Sequence, residues 1–235
     1  MFTPALKLLV TAVKKVSTKA IRDFNELEHM QGNVSEANNF ANVTQKLIQD
    51  TIYEDLHKFK SNYSFIVGDK LIQNKDESNT IIINGIVGFN NFVRTIPYFA
   101  INVVLARDFK PFASVYYNPI TNEMFSAEQG FGAFYNKLKL RYHATENKPS
   151  TISYTDYLGF ANLPHSDSHS VYISGCKALD LCYLSANKID SCYFKDNISY
   201  AETMGALLIA QESNLILLYE EENKQWIKNL SIKKI

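Results

Sequence analysis

The chain has 235 residues and carries 24 basic and 24 acidic side chains, so its formal net charge is zero. This balance provides no general basic surface for nucleic acid or an anionic membrane, and we predict no autonomous nucleic-acid binding. Cys176, Cys182 and Cys192 are odd in number and form no C-x-x-C pair, which favours buried thiols in a reducing, cytoplasmic compartment. A chain of this length can form one large domain or two closely packed lobes.

Helical patterns dominate the start of the chain. Thr3 followed by Pro4 is typical of a helix N-cap and first turn, and apolar residues from Leu6 to Ile21 recur on one helical face. Lysines occur inside this apolar run, which is unlike a signal peptide, and nowhere do eighteen apolar residues follow one another. We therefore expect no transmembrane span. A second amphipathic helix is predicted over about 43–59.

Short β-rich runs come next in the chain. We predict strands at about 63–67 and 80–84 with an exposed polar loop between them. The later predicted elements are strands at 98–107, 112–119 and 122–128, a hairpin over 130–144, a strand from 150, a helix near 177–187, a strand at 189–194, a helix near 200–212, and strands at 214–221 and 225–232. This order predicts an α/β chain with large mixed sheets between helices.

The stretch IIINGIVGFNNF, residues 81–92, raises the main functional question. It has the form of a buried strand that runs into a glycine-containing turn, as active-site loops often do. It contains no charged residue, however, so acid–base or metal chemistry at this turn would lack its usual side chains.

Two long segments carry many characteristic residues at fixed spacing. Residues 92–141 contain P-Y-F-A, then Y-N-P-I-T-N-E-M-F-S-A, then G-F-G-A-F-Y-N. Residues 174–214 contain S-G-C-K-A-L-D-L-C-Y-L-S-A-N-K-I-D and end in A-E-T-M-G-A-L-L-I-A-Q-E-S-N. Both segments resemble the inositol monophosphatase family, and within it most closely the bacterial extragenic suppressor branch.

This resemblance implies both a fold and an activity. The expected fold is α/β (α+β), a layered αβαβα sandwich with large mixed β-sheets between helix pairs. We expect one unit over residues 1–235, with an N-terminal lobe over about 1–148, a C-terminal lobe over about 149–235, and a homodimer as the assembly. Family members are Mg²⁺-dependent phosphomonoesterases, and they need clustered carboxylates because Mg²⁺ prefers oxygen ligands in octahedral geometry.

The five positions that the resemblance assigns to metal-binding carboxylates are all non-acidic in this chain. The family motif D-P-[IL]-D-G-T-[TS]-N-F aligns with residues 84–92, and W-D-x-A-A-G aligns with residues 200–205. The two glutamates of the motif G-E-E align with Gly68 and Asp69. The five positions are Ala41, Gly68, Asn84, Val87 and Ala201. Asp69 is retained and could act as a residual ligand. We therefore expect no bound metal, no retained catalytic residue and no cofactor.

The positions expected to contact substrate have also changed. Phe89 replaces the family's catalytic threonine, and its ring would fill space that a phosphate needs. The matching substrate-contact positions are Gly88, Cys176, Lys177 and Phe194. Lys177 could meet an anion, although a surface lysine is the simpler interpretation.

Three hypotheses remain open. The first is a catalytically inactive member that acts as a protein-binding or regulatory module, with a partner in the transcription antitermination machinery that the suppressor branch is known to join. The second is a Mg²⁺-dependent phosphomonoesterase acting on inositol phosphate, with a residual or relocated site that uses Asp69, Asp180 or Glu123. The third is a remnant whose fold persists without a defined role.

Overall fold

Helices and two β-sheets make up this computed structural model, which describes residues 2–73, 78–141, 150–154, 169–194, 198–223 and 226–233. Three helices come first: α1 (Pro4–Lys15), α2 (Ser17–Glu28) and α3 (Val34–Phe59). The side-chain oxygen of Thr3 accepts a hydrogen bond from the backbone N–H of Leu6, which confirms the predicted cap.

The helical prediction for the N-terminus differs from the structure in two respects. The single helix expected to continue to Ile21 is divided at Val16, and Ile21 is 37% exposed instead of buried. The second predicted helix begins nine residues earlier than 43, at Val34, where the Asn33 side chain accepts from the backbone N–H of Glu36. Polar residues in the first turns of this helix hid its start from the apolar pattern.

The first sheet has eight strands in the order β2-β1-β3-β4-β5-β6-β7-β8. Its strands are β1 (Ser64–Val67), β2 (Lys70–Gln73), β3 (Asn79–Val87), β4 (Ala100–Arg107), β5 (Lys110–Asn118), β6 (Glu123–Glu128), β7 (Gly132–Tyr135) and β8 (Leu138–Lys139). Strands β1 and β3 are parallel, and the other pairs are antiparallel, so the sheet is mixed. The segment predicted as an exposed loop contains the edge strand β2, which the sequence pattern did not reveal. A short helix, α4 (Phe89–Val93), follows β3 directly.

The second sheet is built from the C-terminal part of the chain. Its elements and the helices between them are β9 (Ser150–Tyr154), β10 (His169–Tyr172), α5 (Lys177–Ser185), β11 (Ser191–Phe194), β12 (Ile198–Ser199), α6 (Tyr200–Glu212), β13 (Ile216–Asn223) and β14 (Trp226–Lys233). The strand order is β10-β9-β11-β14-β12, and β13 also pairs with β14. Residues 142–149 and 155–168, which include parts of the predicted hairpin and of the strand from 150, lie outside the described residues.

Alternating residues place helices on opposite faces of the first sheet. Ile81 and Ile83 belong to the core beneath α1, α2 and α3, whereas Ile82 packs with Met204 of α6 on the other face. At Gly205 a Cβ atom would lie 2.8 Å from the side chains of Val104 and Ser114, so a glycine permits α6 to approach the sheet closely. The described layers are therefore helices, sheet, helices, sheet.

These layers confirm the predicted mixed α/β fold with large mixed sheets. The division into lobes at about residue 148 stays a prediction. Within the described part of the chain, no helix combines the length and apolar character needed to cross a membrane.

Candidate functional site

A cluster of neutral amides lies where β3 approaches the first turn of α6. Asn84 is 7% exposed, and its Nδ2 donates to Oδ1 of Asn102 at 2.5 Å and to the backbone carbonyl of Ala201 at 2.7 Å. Nδ2 of Asn102 in turn donates to the carbonyl of Val115 at 3.0 Å. These hydrogen bonds join three neighbouring strands and a helix without any net charge.

Gln49 of α3 reaches the same place from the helical layer. Its Nε2 donates to the backbone carbonyl of Asn84 at 3.0 Å. Gly85 has a φ of +74°, and a Cβ atom there would lie 2.8 Å from Cγ of Gln49; at Gly68 the corresponding distance to Nε2 is 3.2 Å. The Gln49 side chain therefore fills the space beside the ends of β1 and β3, and Gly68 faces an amide.

The turn after β3 brings two predicted substrate-contact positions together. Gly88 has a φ of +77°, and a Cβ atom there would lie 3.0 Å from both Cβ and Sγ of Cys176. Cys176 is 3% exposed at the N-terminus of α5, and burial raises the pKa of its thiol. Val87 is buried, and the half-buried ring of Phe89 packs against the core of the N-terminal helices. Both side chains therefore serve packing.

Two carboxylates lie close to the amide cluster. Asp69 follows Gly68 at the end of β1 and is exposed, and Glu202 follows Ala201 in α6. Although Glu202 keeps contact with solvent, the surrounding protein and the negative charge of Asp69 raise the pKa of its carboxyl, while the ammonium of Lys177 lowers it. The fold thus gathers Asp69, Lys177 and Glu202 within electrostatic range of one another.

Ala41 and Phe194 are core residues. Ala41 is fully buried on α3, about two helical turns before Gln49. Phe194 is 1% exposed at the end of β11. The matching of these two positions with the family's metal and substrate contacts stays a prediction. From α3, the side chain of Gln49 hydrogen-bonds to the backbone of β3.

Asp180 is a buried carboxylate held by three hydroxyl groups. It is 2% exposed and accepts hydrogen bonds from Tyr98, Ser153 and Ser174, each at 2.7 Å. Burial raises its pKa in spite of these donors. The Ser174 hydroxyl also accepts from the backbone N–H of Cys176 at 3.0 Å, so the network positions the start of α5.

Glu123 anchors a second network at the other end of α5. Its carboxylate accepts from the hydroxyl of Tyr135 at 2.7 Å, from Nζ of Lys188 at 2.5 Å, and from the hydroxyl of Tyr183. Partial burial would raise its pKa, but these donors prevail and lower the pKa to about 2. Glu123 is therefore committed to a structural ion pair.

Sequence reasoning missed Gln49, Asn102 and Glu202. Asn102 was detectable as a lone polar residue inside the apolar run of β4, since buried polar groups in strands usually have a specific partner. Glu202 was also detectable, because it directly follows Ala201, one of the predicted metal positions. No sequence signal marked Gln49, because only the packing of α3 against two glycines reveals its role.

The five predicted metal positions do not fit a Mg²⁺ ion by themselves. Their side chains offer one oxygen, the amide oxygen of Asn84, because Ala41, Gly68, Val87 and Ala201 have none. In the part of the chain that the structure describes, no three His, Cys, Asp or Glu side chains are grouped to hold a metal ion. Among the residues that the structure describes, Asp69 and Glu202 are acids near the amide cluster that could contribute oxygen ligands.

Comparisons with known proteins agree with the sequence resemblance. The model of the inositol monophosphatase family matches residues 2–214. The chain is 28% identical to the inositol-1-monophosphatase of Caulobacter vibrioides, over 95% of this chain and 93% of that protein. It is 27% identical to the Nus factor SuhB of Vibrio cholerae, over 91% and 84% of the two chains. The crystal structure of the extragenic suppressor protein SuhB from Bartonella henselae has a TM-score of 0.80 at 23% identity, covering 100% of this chain and 95% of that one.

The expectation that this protein needs no cofactor is contradicted by these comparisons. Members of the matched family are Mg²⁺-dependent, and relatives such as the Caulobacter vibrioides protein are named as phosphatases. The prediction was drawn from five side chains alone, and those side chains are not the whole set of oxygen donors near the site.

Proposed function

Since this chain belongs to the inositol monophosphatase family, we propose that it is a protein-binding or regulatory member that does not hydrolyse inositol phosphates. The observation that carries the proposal is the amide cluster. Asn84 turns its amide hydrogens toward two oxygen acceptors at a position that the resemblance assigns to a metal-binding carboxylate.

The chemistry of phosphate ester hydrolysis supports this proposal. The reaction needs an acceleration of up to about 10²¹-fold. Carboxylates would hold the Mg²⁺ that would supply charge stabilisation and an activated water. Val87 and Ala201 have hydrocarbon side chains, and Phe89, at the position that the resemblance assigns to the family's threonine, packs against the core. The residues of this chain at the turn therefore pack and hydrogen-bond, and none of them can hold or move a proton there.

The names of the relatives support a role in binding. Nus factor SuhB proteins are among the curated relatives, with the chain covering 84% of the Vibrio cholerae protein. We propose that the partner is a component of the transcription machinery, and that the protein works in the cytoplasm as a homodimer. Co-elution of this chain with purified RNA polymerase in size-exclusion chromatography is expected, and separate elution at micromolar concentrations would contradict this partner.

A phosphate-release assay on inositol 1-phosphate, with millimolar Mg²⁺ or Mn²⁺, tests the absence of turnover. The Caulobacter vibrioides relative serves as the positive control. Release no faster than in buffer supports the proposal. Metal-dependent release by this chain overturns it.

One observation favours a second function, that of a phosphomonoesterase with a relocated metal site. Asp69 and Glu202 approach each other closely enough that the charge of Asp69 raises the pKa of Glu202. Carboxylates whose charges influence each other in this way occur in cation-binding sites as well as on crowded surfaces. If release is found, Asp69→Asn and Glu202→Gln should abolish it, whereas Glu54→Gln, at an exposed position on α3, should leave it unchanged.

A further inference from the structure

A groove of about 530 Å³ lies between the start of α1, the end of α3 and the first sheet. Strands β3 and β4 contribute to both this groove and the amide cluster, but the two sites share no side chain. Its volume falls within the range of sites for small molecules. The walls are mainly apolar and include Leu8 from α1, Ile81 and Leu105 from the sheet, and Phe112 from β5.

Two cations, Lys60 and Arg107, line the same groove. The guanidinium of Arg107 lies 3.5 Å from the ring centroid of Phe112, and Nζ of Lys60 lies 4.8 Å from the ring centroid of Tyr63. Among the residues that the structure describes, neither cation has a carboxylate within ion-pair distance. Aromatic contacts hold both side chains while leaving their charge without an anionic partner.

Among the described residues that line the groove, Glu128 is the acid, and its carboxylate already accepts a hydrogen bond. Glu128 is 5% exposed and accepts a hydrogen bond from the hydroxyl of Thr3, the N-cap of α1. A carboxylate at this position is also stabilised by the positive end of the twelve-residue helix α1. The carboxylate of Glu128 thus has a hydrogen-bond donor within the protein, whereas in the described part of the chain Lys60 and Arg107 have no carboxylate partner.

We propose that this groove binds a small amphipathic anion, an acyl chain that ends in a carboxylate. The acyl chain would lie along the apolar wall formed by Leu8, Ile81 and Leu105, where burial of its methylene groups favours binding. The carboxylate would pair with the guanidinium of Arg107, whose fork of N–H donors suits a carboxylate, and with the ammonium of Lys60. Charge complementarity selects this occupant over an apolar or cationic one.

The test uses the full chain and decanoate, held below the concentration at which it forms micelles, in isothermal titration calorimetry. Saturable binding with one site per chain is expected. Decyltrimethylammonium has the same alkyl chain with a cationic head group, and acetate has the carboxylate without the alkyl chain. Both should bind the protein at least about tenfold more weakly than decanoate does. Equal binding of the cationic amphiphile, or no binding of decanoate at millimolar concentration, overturns the proposal.

Matched variants locate the site. Arg107→Gln should weaken decanoate binding by about tenfold or more. Lys110→Gln removes the same charge from the neighbouring strand, outside the groove, and should change binding less than about twofold. Because Arg107 and Lys110 are both exposed, neither change threatens the fold. Equal effects of the two substitutions would show that decanoate meets only the general surface charge, which contradicts the proposal.

Discussion

The Asp180 network and the Asn84 cluster are both buried and polar, yet they are built from opposite chemistry. Asp180 is surrounded by three hydroxyl donors, and a carboxylate is retained there. Asn84 faces a carbonyl and an amide oxygen, both of which accept hydrogen bonds, and a neutral donor occupies that position. The comparison teaches that a buried position tolerates a carboxylate where its neighbours donate hydrogen bonds, and an amide donor where its neighbours accept them.

The largest effect is expected from Asp180→Ala. The substitution leaves three hydroxyl groups without their acceptor inside the protein, so the free energy of unfolding should fall by about 4 kcal/mol. Denaturation in urea, followed by circular dichroism, measures the change. The exposed control Glu54→Ala should cost less than about 0.5 kcal/mol. A similar small loss for both variants would mean that the donors around Asp180 find other partners.

Asn84→Asp should have the next largest effect. It tests whether the acceptors around Asn84 exclude a carboxylate. At pH 7 the new carboxylate would face the carbonyl of Ala201 and Oδ1 of Asn102, and we expect a loss of about 2 kcal/mol in the free energy of unfolding. The loss should shrink toward pH 4, because a protonated carboxyl can again donate a hydrogen bond. Urea unfolding at both pH values checks this, and an equal loss at the two values would contradict the argument from acceptors.

A smaller effect is expected from the acid titration of Glu123. Its pKa is lowered from 4.5 to about 2 in the folded protein, so it stabilises the fold above pH 4.5 and loses that contribution as the pH falls toward 2. Allowing for solvent screening, we expect a loss of about 1–2 kcal/mol over this window. Glu123→Gln should flatten that part of the stability profile, whereas Glu54→Gln should leave it unchanged. Parallel profiles for the two variants would contradict a structural role for the ion pair with Lys188.

Strong local patterns made much of the fold predictable. The apolar runs of β3 and β4, the hairpin joining β5 and β6, and the Thr3 cap all follow from short-range periodicity or from one hydrogen bond. The family resemblance then supplied the layered arrangement that periodicity alone could not give. The strands, the hairpin and the cap are determined by residues that lie close together in the sequence.

Other features depend on tertiary contacts and escaped prediction. The division of the first helix occurs at Val16, with no glycine or proline to mark it. The edge strand β2 has four residues and exposed Leu71 and Ile72, too short a run to distinguish from a loop. At the candidate site, the residue types at Asn84, Val87 and Ala201 could be read directly from the sequence. That Gln49 occupies the space beside Gly68 and Gly85 could be seen only once α3 was packed on the sheet.

The chain of amides that runs from Gln49 through Asn84 and Asn102 to the carbonyl of Val115 has a mechanical consequence. It connects the helical layer to the middle of the first sheet, and through Ala201 to α6, by bonds whose members do not titrate between about pH 3 and pH 11. Neither ionic strength nor acidity can loosen such a connection directly. A surface formed by α3 and α6 should therefore keep its geometry across changes in pH and ionic strength that would weaken a connection made of ion pairs.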